Sequence, residues 1–120
     1  MSVAARHILK KHKGSRRPAS WRCDNVTQSK EEAIAQINEI RSKLMDILAA
    51  EGKDAMEAAF CEIASVESDC NSAQRGGDLG VFQRGQMQKP FEDATFSLEV
   101  GEISEIVDTD SGIHIILRTQ

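Results

Sequence analysis

One hundred and twenty residues, 40% hydrophobic and 28% charged, are enough for one soluble globular domain with a single core and too few for two. No apolar run approaches the roughly 20 residues needed to span a membrane, and Met1-Ser2-Val3-Ala4-Ala5-Arg6-His7 lacks a secretion core, so the chain is expected to start in the cytosol. Three cysteines (Cys23, Cys61, Cys70) are an odd number without CxxC spacing, which argues against a disulfide scaffold and a structural zinc site. The net charge of −4 hides an asymmetry, because Arg6, Lys10, Lys11, Lys13, Arg16, Arg17 and Arg22 crowd an N-terminal stretch without one acidic residue. A basic lip on an acidic body points to a small anion site, although such a run is commonly only a solvated face.

Val3 to Lys11 reads as a strand, and His12 to Ser29 as a loop of unusual length that carries most of the positive charge. Ser29 with Glu32 forms a capping box, and Ala33, Ile34, Ile37, Ile40, Leu44, Ile47 and Leu48 recur at helical spacing from Lys30 to about Ala50. Gly52 ends that helix. A second begins near Asp54 and stops before the polar run Ser68-Asp69-Cys70-Asn71-Ser72, behind which no helix start is expected. Leu79 to Phe82 is a short strand leaving a glycine-rich turn, and Pro90 opens a helix through Leu98. Ile103 to Val107 and Ile113 to Arg118 read as a closing hairpin around Asp108-Thr109-Asp110-Ser111-Gly112. The order predicts an α+β domain with a small, mostly antiparallel sheet.

His7 and His114 lie mid-strand at opposite ends of the chain, where neighbouring strands can bring the imidazoles together, and Cys70 sits in a polar loop. Taken singly, strand histidines are usually satisfied core residues, and a loop cysteine is inert unless a cation or imidazole lowers its pKa. Packing is the expected role of Cys23 and Cys61. A cysteine hydrolase lacks a recognisable motif around Cys70. Aromatics at 4% leave no stacking platform for nucleic acid.

The segments Arg6-His7-Ile8-Leu9, Ser15-Arg16-Arg17-Pro18 with Trp21, Ser68-Asp69-Cys70, Arg75-Gly76-Gly77-Asp78-Leu79-Gly80, Gln86 to Ala94 and Thr109 to Ile116 run in one order over almost the whole chain. Together they resemble the parvulin-type peptidyl-prolyl cis/trans isomerases, and the Arg16-Arg17 pair is similar to the Pin-type branch, which prefers phosphoSer/Thr-Pro bonds. The resemblance implies a four-stranded antiparallel sheet wrapped by about four helices, formed by residues 1–120 as one isomerase domain without a WW domain. It implies a polar centre of Cys70, His7 and His114, with Ser111 and Thr109 supporting the imidazoles and Ser72 close by. Leu79, Met87 and Phe91 are the implied proline pocket with Gln88 at its rim, and Lys11, Arg16 and Arg17 the implied phosphate clamp in a basic loop of about residues 11–22. Asn71, Gln83 and a longer join between the first helices, near Ala49 to Ala55, depart from the family pattern. The expected function is isomerisation of phosphoSer/Thr-Pro bonds by non-covalent torsional catalysis, and the alternative is a phosphopeptide-binding module without turnover. The expected partners are phosphorylated Ser/Thr-Pro proteins met by a monomer in cytoplasm and nucleus, with no cofactor, metal, nucleic acid or membrane.

Overall fold

A computed structural model describes residues 1–120. Its order is β1 (Ser2–Lys10), α1 (Lys30–Glu51), α2 (Lys53–Glu67), a 3-10 helix (Asn71–Arg75), β2 (Asp78–Gln83), α3 (Lys89–Ser97), β3 (Val107–Thr109) and β4 (Gly112–Arg118). The strands form one antiparallel sheet in the order β2-β1-β4-β3. The architecture is the expected α+β one, with three α-helices and a short 3-10 helix where about four helices were expected.

The capping box forms as expected: Ser29 Oγ accepts from the Glu32 N–H, and Glu32 Oε1 accepts from the Ser29 N–H, both at 3.1 Å. The stripe from α1 (Ile37, Ile40, Leu44) meets Met56 and Phe60 of α2 and buries them against Ile8, Ile113, Ile115 and Leu117 of the sheet. A single residue joins α1 to α2. Gly52 alone turns the corner at φ +93°, closing one helix on Leu48 O and opening the next with its own carbonyl. The opposite sheet face packs Val3, Ala5 and Ile116 against Phe82, Phe91, Leu98 and Val107. Because β1 and β4 are covered on both faces, their residues are buried without the alternation of a half-exposed strand.

One expected strand is displaced. Ile103 makes a single bridge to Leu117, and the regular strand is Val107–Thr109. Ser104 is the reason: its hydroxyl takes the Ile116 N–H that a strand carbonyl would take, and itself donates to Glu105 O. The 103–106 segment therefore runs antiparallel beside β4, with the Ser104 N–H donating to Ile116 O at 2.8 Å, but does not form a regular ladder there.

Gly77 sits where the chain after the 3-10 helix passes β1. Its carbonyl accepts from the His7 N–H at 3.0 Å, its φ is +84°, and a Cβ there would lie 2.4 Å from His7 O. The left-handed backbone alone costs about 1–2 kcal/mol for a non-glycine residue, and the clash with main chain adds to it. Gly77→Ala is expected to destabilise the fold by about 3 kcal/mol or more, read as a lowered urea midpoint with an unchanged slope.

Candidate active site

The register of β1 against β4 sets Leu9 opposite His114 and His7 opposite Ile116, so the two histidines are diagonal neighbours on one sheet face. Their Nδ1 atoms are 3.0 Å apart and their rings lie near-parallel at 5.2 Å between centroids. Phe91 from α3 meets both rings edge-on, 5.5 Å from His7 and 5.2 Å from His114. Thr109 Oγ1 lies 2.7 Å from His114 Nε2 and accepts from the Ser111 N–H at 3.1 Å. Two proton chains satisfy these contacts: Thr109 to His114 Nε2 and His114 Nδ1 to His7 Nδ1, or the reverse, from His7 Nδ1 through His114 to Thr109. In both, His7 Nε2 is a buried atom with no partner. Burial lowers the His7 pKa to about 4. Burial, and then the neighbouring His7, hold His114 well below the usual imidazole range. Both rings are neutral at pH 7.

Cys70 is fixed to the end of β1 by a stitched turn. Ser68 Oγ accepts from the Leu9 N–H at 3.1 Å and the Asp69 N–H donates to Leu9 O at 2.7 Å, binding the turn to the end of β1. Contrary to the sequence expectation, a helix does begin directly behind Cys70. It is the short 3-10 helix, with Cys70 as its N-cap and the Ser72 N–H 3.5 Å from Sγ. A run of turn-forming residues hid it, since a 3-10 turn needs no apolar period. Cys70 is half-buried, and Ser72 is buried beside it with its hydroxyl unpartnered.

Leu79 and Met87 pack half-buried against the cluster that holds Phe91, and Phe91 itself meets both imidazoles. Gln88 bridges to the β3–β4 turn, donating to Ser111 Oγ at 2.9 Å and accepting from the Asp110 N–H at 3.2 Å. Ser111 thus supports His114 indirectly, through Thr109. Its hydroxyl serves Gln88, and only its main-chain N–H reaches His114, by way of Thr109.

The basic loop is tied to the Cys70 turn by residues that sequence reasoning left without a role. Asp69 accepts from the Lys11 N–H (2.8 Å) and the Ser20 hydroxyl (2.9 Å), and Arg22 lies 3.5 Å away. The Trp21 indole donates to Ser68 O and Cys70 O at 2.9 and 3.1 Å. A tryptophan in an aromatic-poor, polar loop was the one available signal. The Arg16 N–H closes the loop onto Asp110 O at 2.7 Å. Cys23, expected to pack, is exposed, because the loop around it turns outward and its thiol bonds only to Asn25 O.

A sheet floor carrying paired neutral imidazoles, an apolar notch and a cysteine on a cationic rim defines the parvulin class. Residues 7–120 match the family model described as "Rotamase: PPIC-type PPIASE domain". Similar proteins include the peptidyl-prolyl cis-trans isomerase Pin1 of Arabidopsis thaliana, 54% identical over 98% of this chain and 94% of that one. The putative isomerase dodo of Drosophila melanogaster is 55% identical over 93% of this chain and 62% of its own length. The solved isomerase ESS1 of Candida albicans superposes with a TM-score of 0.84 at 44% identity, covering 99% of this chain and 63% of that one. The chain belongs to the PPIC-type parvulin family, and it is a peptidyl-prolyl cis/trans isomerase.

The neutral imidazoles make stability depend on pH. Unfolded His7 binds a proton near pH 6.5, folded His7 only near pH 4. The contribution is thus complete above pH 6.5 and is lost as pH falls towards 4, amounting to about 3 kcal/mol for His7. Between pH 6.5 and 5, above the carboxylate range, the urea midpoint is expected to fall with acidification. In His7→Asn, which removes the titrating ring and keeps a polar side chain beside His114, that decline should shrink, and an unchanged decline would contradict a buried, neutral His7.

Proposed function

We propose that the bonds isomerised are those preceded by phosphoserine or phosphothreonine, and that catalysis is torsional and non-covalent. The observation that carries the first part is how the loop's cations are partnered. Lys10 pairs with Glu67, and Arg22 with Glu67 and Asp69. Arg16 and Arg17 are exposed and take part in no ion pair. Burial first, then Arg17, depress the Lys11 pKa, with Asp69 and Cys70 opposing and Arg16 adding to the depression. Lys11, Arg16 and Arg17 thus press on one another within electrostatic reach of Cys70. A dianionic phosphate relieves that repulsion, and guanidinium forks match its oxygens.

Prolyl isomerisation breaks no bond. Its barrier of about 18–20 kcal/mol is the loss of amide resonance, and a catalyst must favour the twisted amide over the planar one. Leu79, Met87 and Phe91 seat the pyrrolidine ring and exclude water, the cations hold the preceding phosphate, and the intervening carbonyl turns past Cys70. The imidazoles support the non-covalent role. A thiol becomes a nucleophile through an adjacent base or a lowered pKa, and here burial keeps both imidazoles neutral and weakly basic. Cys70 then contributes a polarisable, partly negative sulfur beside the carbonyl, while the histidines shape the floor.

Arg16→Ala combined with Arg17→Ala should lower kcat/KM on phosphoSer-Pro peptides about 100-fold, since charge-assisted hydrogen bonds contribute roughly 1.5–3 kcal/mol each. The loss on Glu-Pro peptides should be at least about tenfold smaller by the same bookkeeping. Equal losses would leave the loop a solvated face. Two-dimensional exchange NMR on a phosphoThr-Pro peptide is expected to give cis–trans cross-peaks at catalytic protein levels, whereas broadening alone would mean binding without turnover.

Cys70→Asp, which places negative charge at the carbonyl, should retain more turnover than Cys70→Ala in the same exchange measurement. A dead Cys70→Asp beside a fully active Cys70→Ser would overturn the electrostatic role.

A further inference from the structure

Of 19 acidic residues, two are buried, Asp69 at 5% exposure and Glu92 at 4%. A buried carboxylate is strongly unfavourable unless its oxygens are satisfied. Asp69 is satisfied by the basic loop. Glu92, in the first turn of α3, is satisfied by a different loop, and nothing so far gives it a part in the reaction.

Glu92 Oε1 accepts from the Gly85 N–H, and Oε2 accepts from Arg84 at 2.9 Å. The Arg84 guanidinium also reaches Asp93 at 3.1 Å and lies over the Phe96 ring, 4.5 Å from its centroid. Gly85 stands at φ +91°, and the Gln83 N–H donates to the Gln86 side chain at 2.7 Å. The turn leaving β2 is thus pinned to α3 immediately before Met87 and Gln88. Gln88 is held on its other side by Ser111 and Asp110. Met87 hangs between two anchors, and Glu92 is the buried one.

We propose that Glu92 is a positioning residue for proline recognition: by holding the β2–α3 turn it fixes Met87 over Phe91 and so keeps the notch closed on the pyrrolidine ring. The proposal rests on Leu79, Met87 and Phe91 being the proline seat, and not on any preference for phosphate. Glu92 touches no substrate. Its removal loosens ground-state and transition-state grip together, which raises KM and leaves kcat nearly unchanged.

The test is steady-state isomerisation of a Glu-Pro peptide by the full chain and by Glu92→Ala, Glu92→Gln, Arg84→Ala and Met87→Ala, with the Met87 methyl resonance followed by NMR. Glu92→Ala is expected to raise KM about tenfold, the equivalent of one buried hydrogen bond lost, with kcat within about twofold. Glu92→Gln should recover most of the loss, because its amide oxygen still accepts from Gly85. Arg84→Ala, a change at a half-exposed side chain, should raise KM about two- to threefold. The Met87 methyl should move towards the position of an exposed methionine in the order Gln, Arg84→Ala, Glu92→Ala. An unmoved methyl with unchanged KM in Glu92→Ala overturns the proposal. So does a fall in kcat as large as the rise in KM. Should Glu92→Ala not fold, an unchanged KM in Arg84→Ala overturns it equally. An unchanged KM in Met87→Ala removes the proline seat itself, and the proposal with it, which separates that failure from the others.

Discussion

The hydrogen bond between His7 and His114 is the contact around which the molecule is arranged. It closes the middle of the sheet from β1 to β4, and it excludes water from a pair of rings that would otherwise carry charge in acid. Neutrality lets Phe91 lie edge-on against both rings, and Phe91 in turn docks α3 on the sheet. Thr109 supplies the far end of the chain of protons. In a low-dielectric interior the bonds of such a network are strengthened, and the one atom left unpaired, His7 Nε2, is costly. Both rings are buried, so the floor of the site is part of the core.

What must adapt to substrate lies on two loops tied to that floor. The basic loop is bonded to the Ser68–Cys70 turn through Asp69 and Trp21, so the cations and the sulfur form one unit. The β2–α3 turn is bonded to α3 through Glu92 and to the β3–β4 turn through Gln88. A reaction that makes no new covalent bond needs little more than this. The requirement is that the site bind the twisted amide more tightly than the planar one.

Local signals were legible where local physics decides. Ser29 and Glu32 mark the start of α1 because the capping box closes within one turn, and the Ile37-Ile40-Leu44 spacing names the face that is buried. Signals failed where a distant partner supplies a hydrogen bond. Ser104 takes the place of a strand carbonyl only because Ile116 is opposite, so Ile103 to Val107 has a strand's composition without its ladder. The 3-10 helix behind Cys70 has no apolar period to betray it, and Ser111 looks placed to serve an imidazole while Gln88 claims its hydroxyl.

By itself, then, the order of residues determined which elements exist, which of their faces are apolar, and that histidine, cysteine and a run of cations recur in a parvulin arrangement. Chain order cannot state distances between residues a hundred positions apart. Strand register put Leu9 across from His114 and so made two ordinary strand histidines into one buried, neutral pair. Burial, which is a property of the assembled layers, set their protonation. Tertiary packing likewise decided which cations are neutralised and which stay free, because an ion pair depends on what the fold brings within a few ångströms and not on what is adjacent along the backbone.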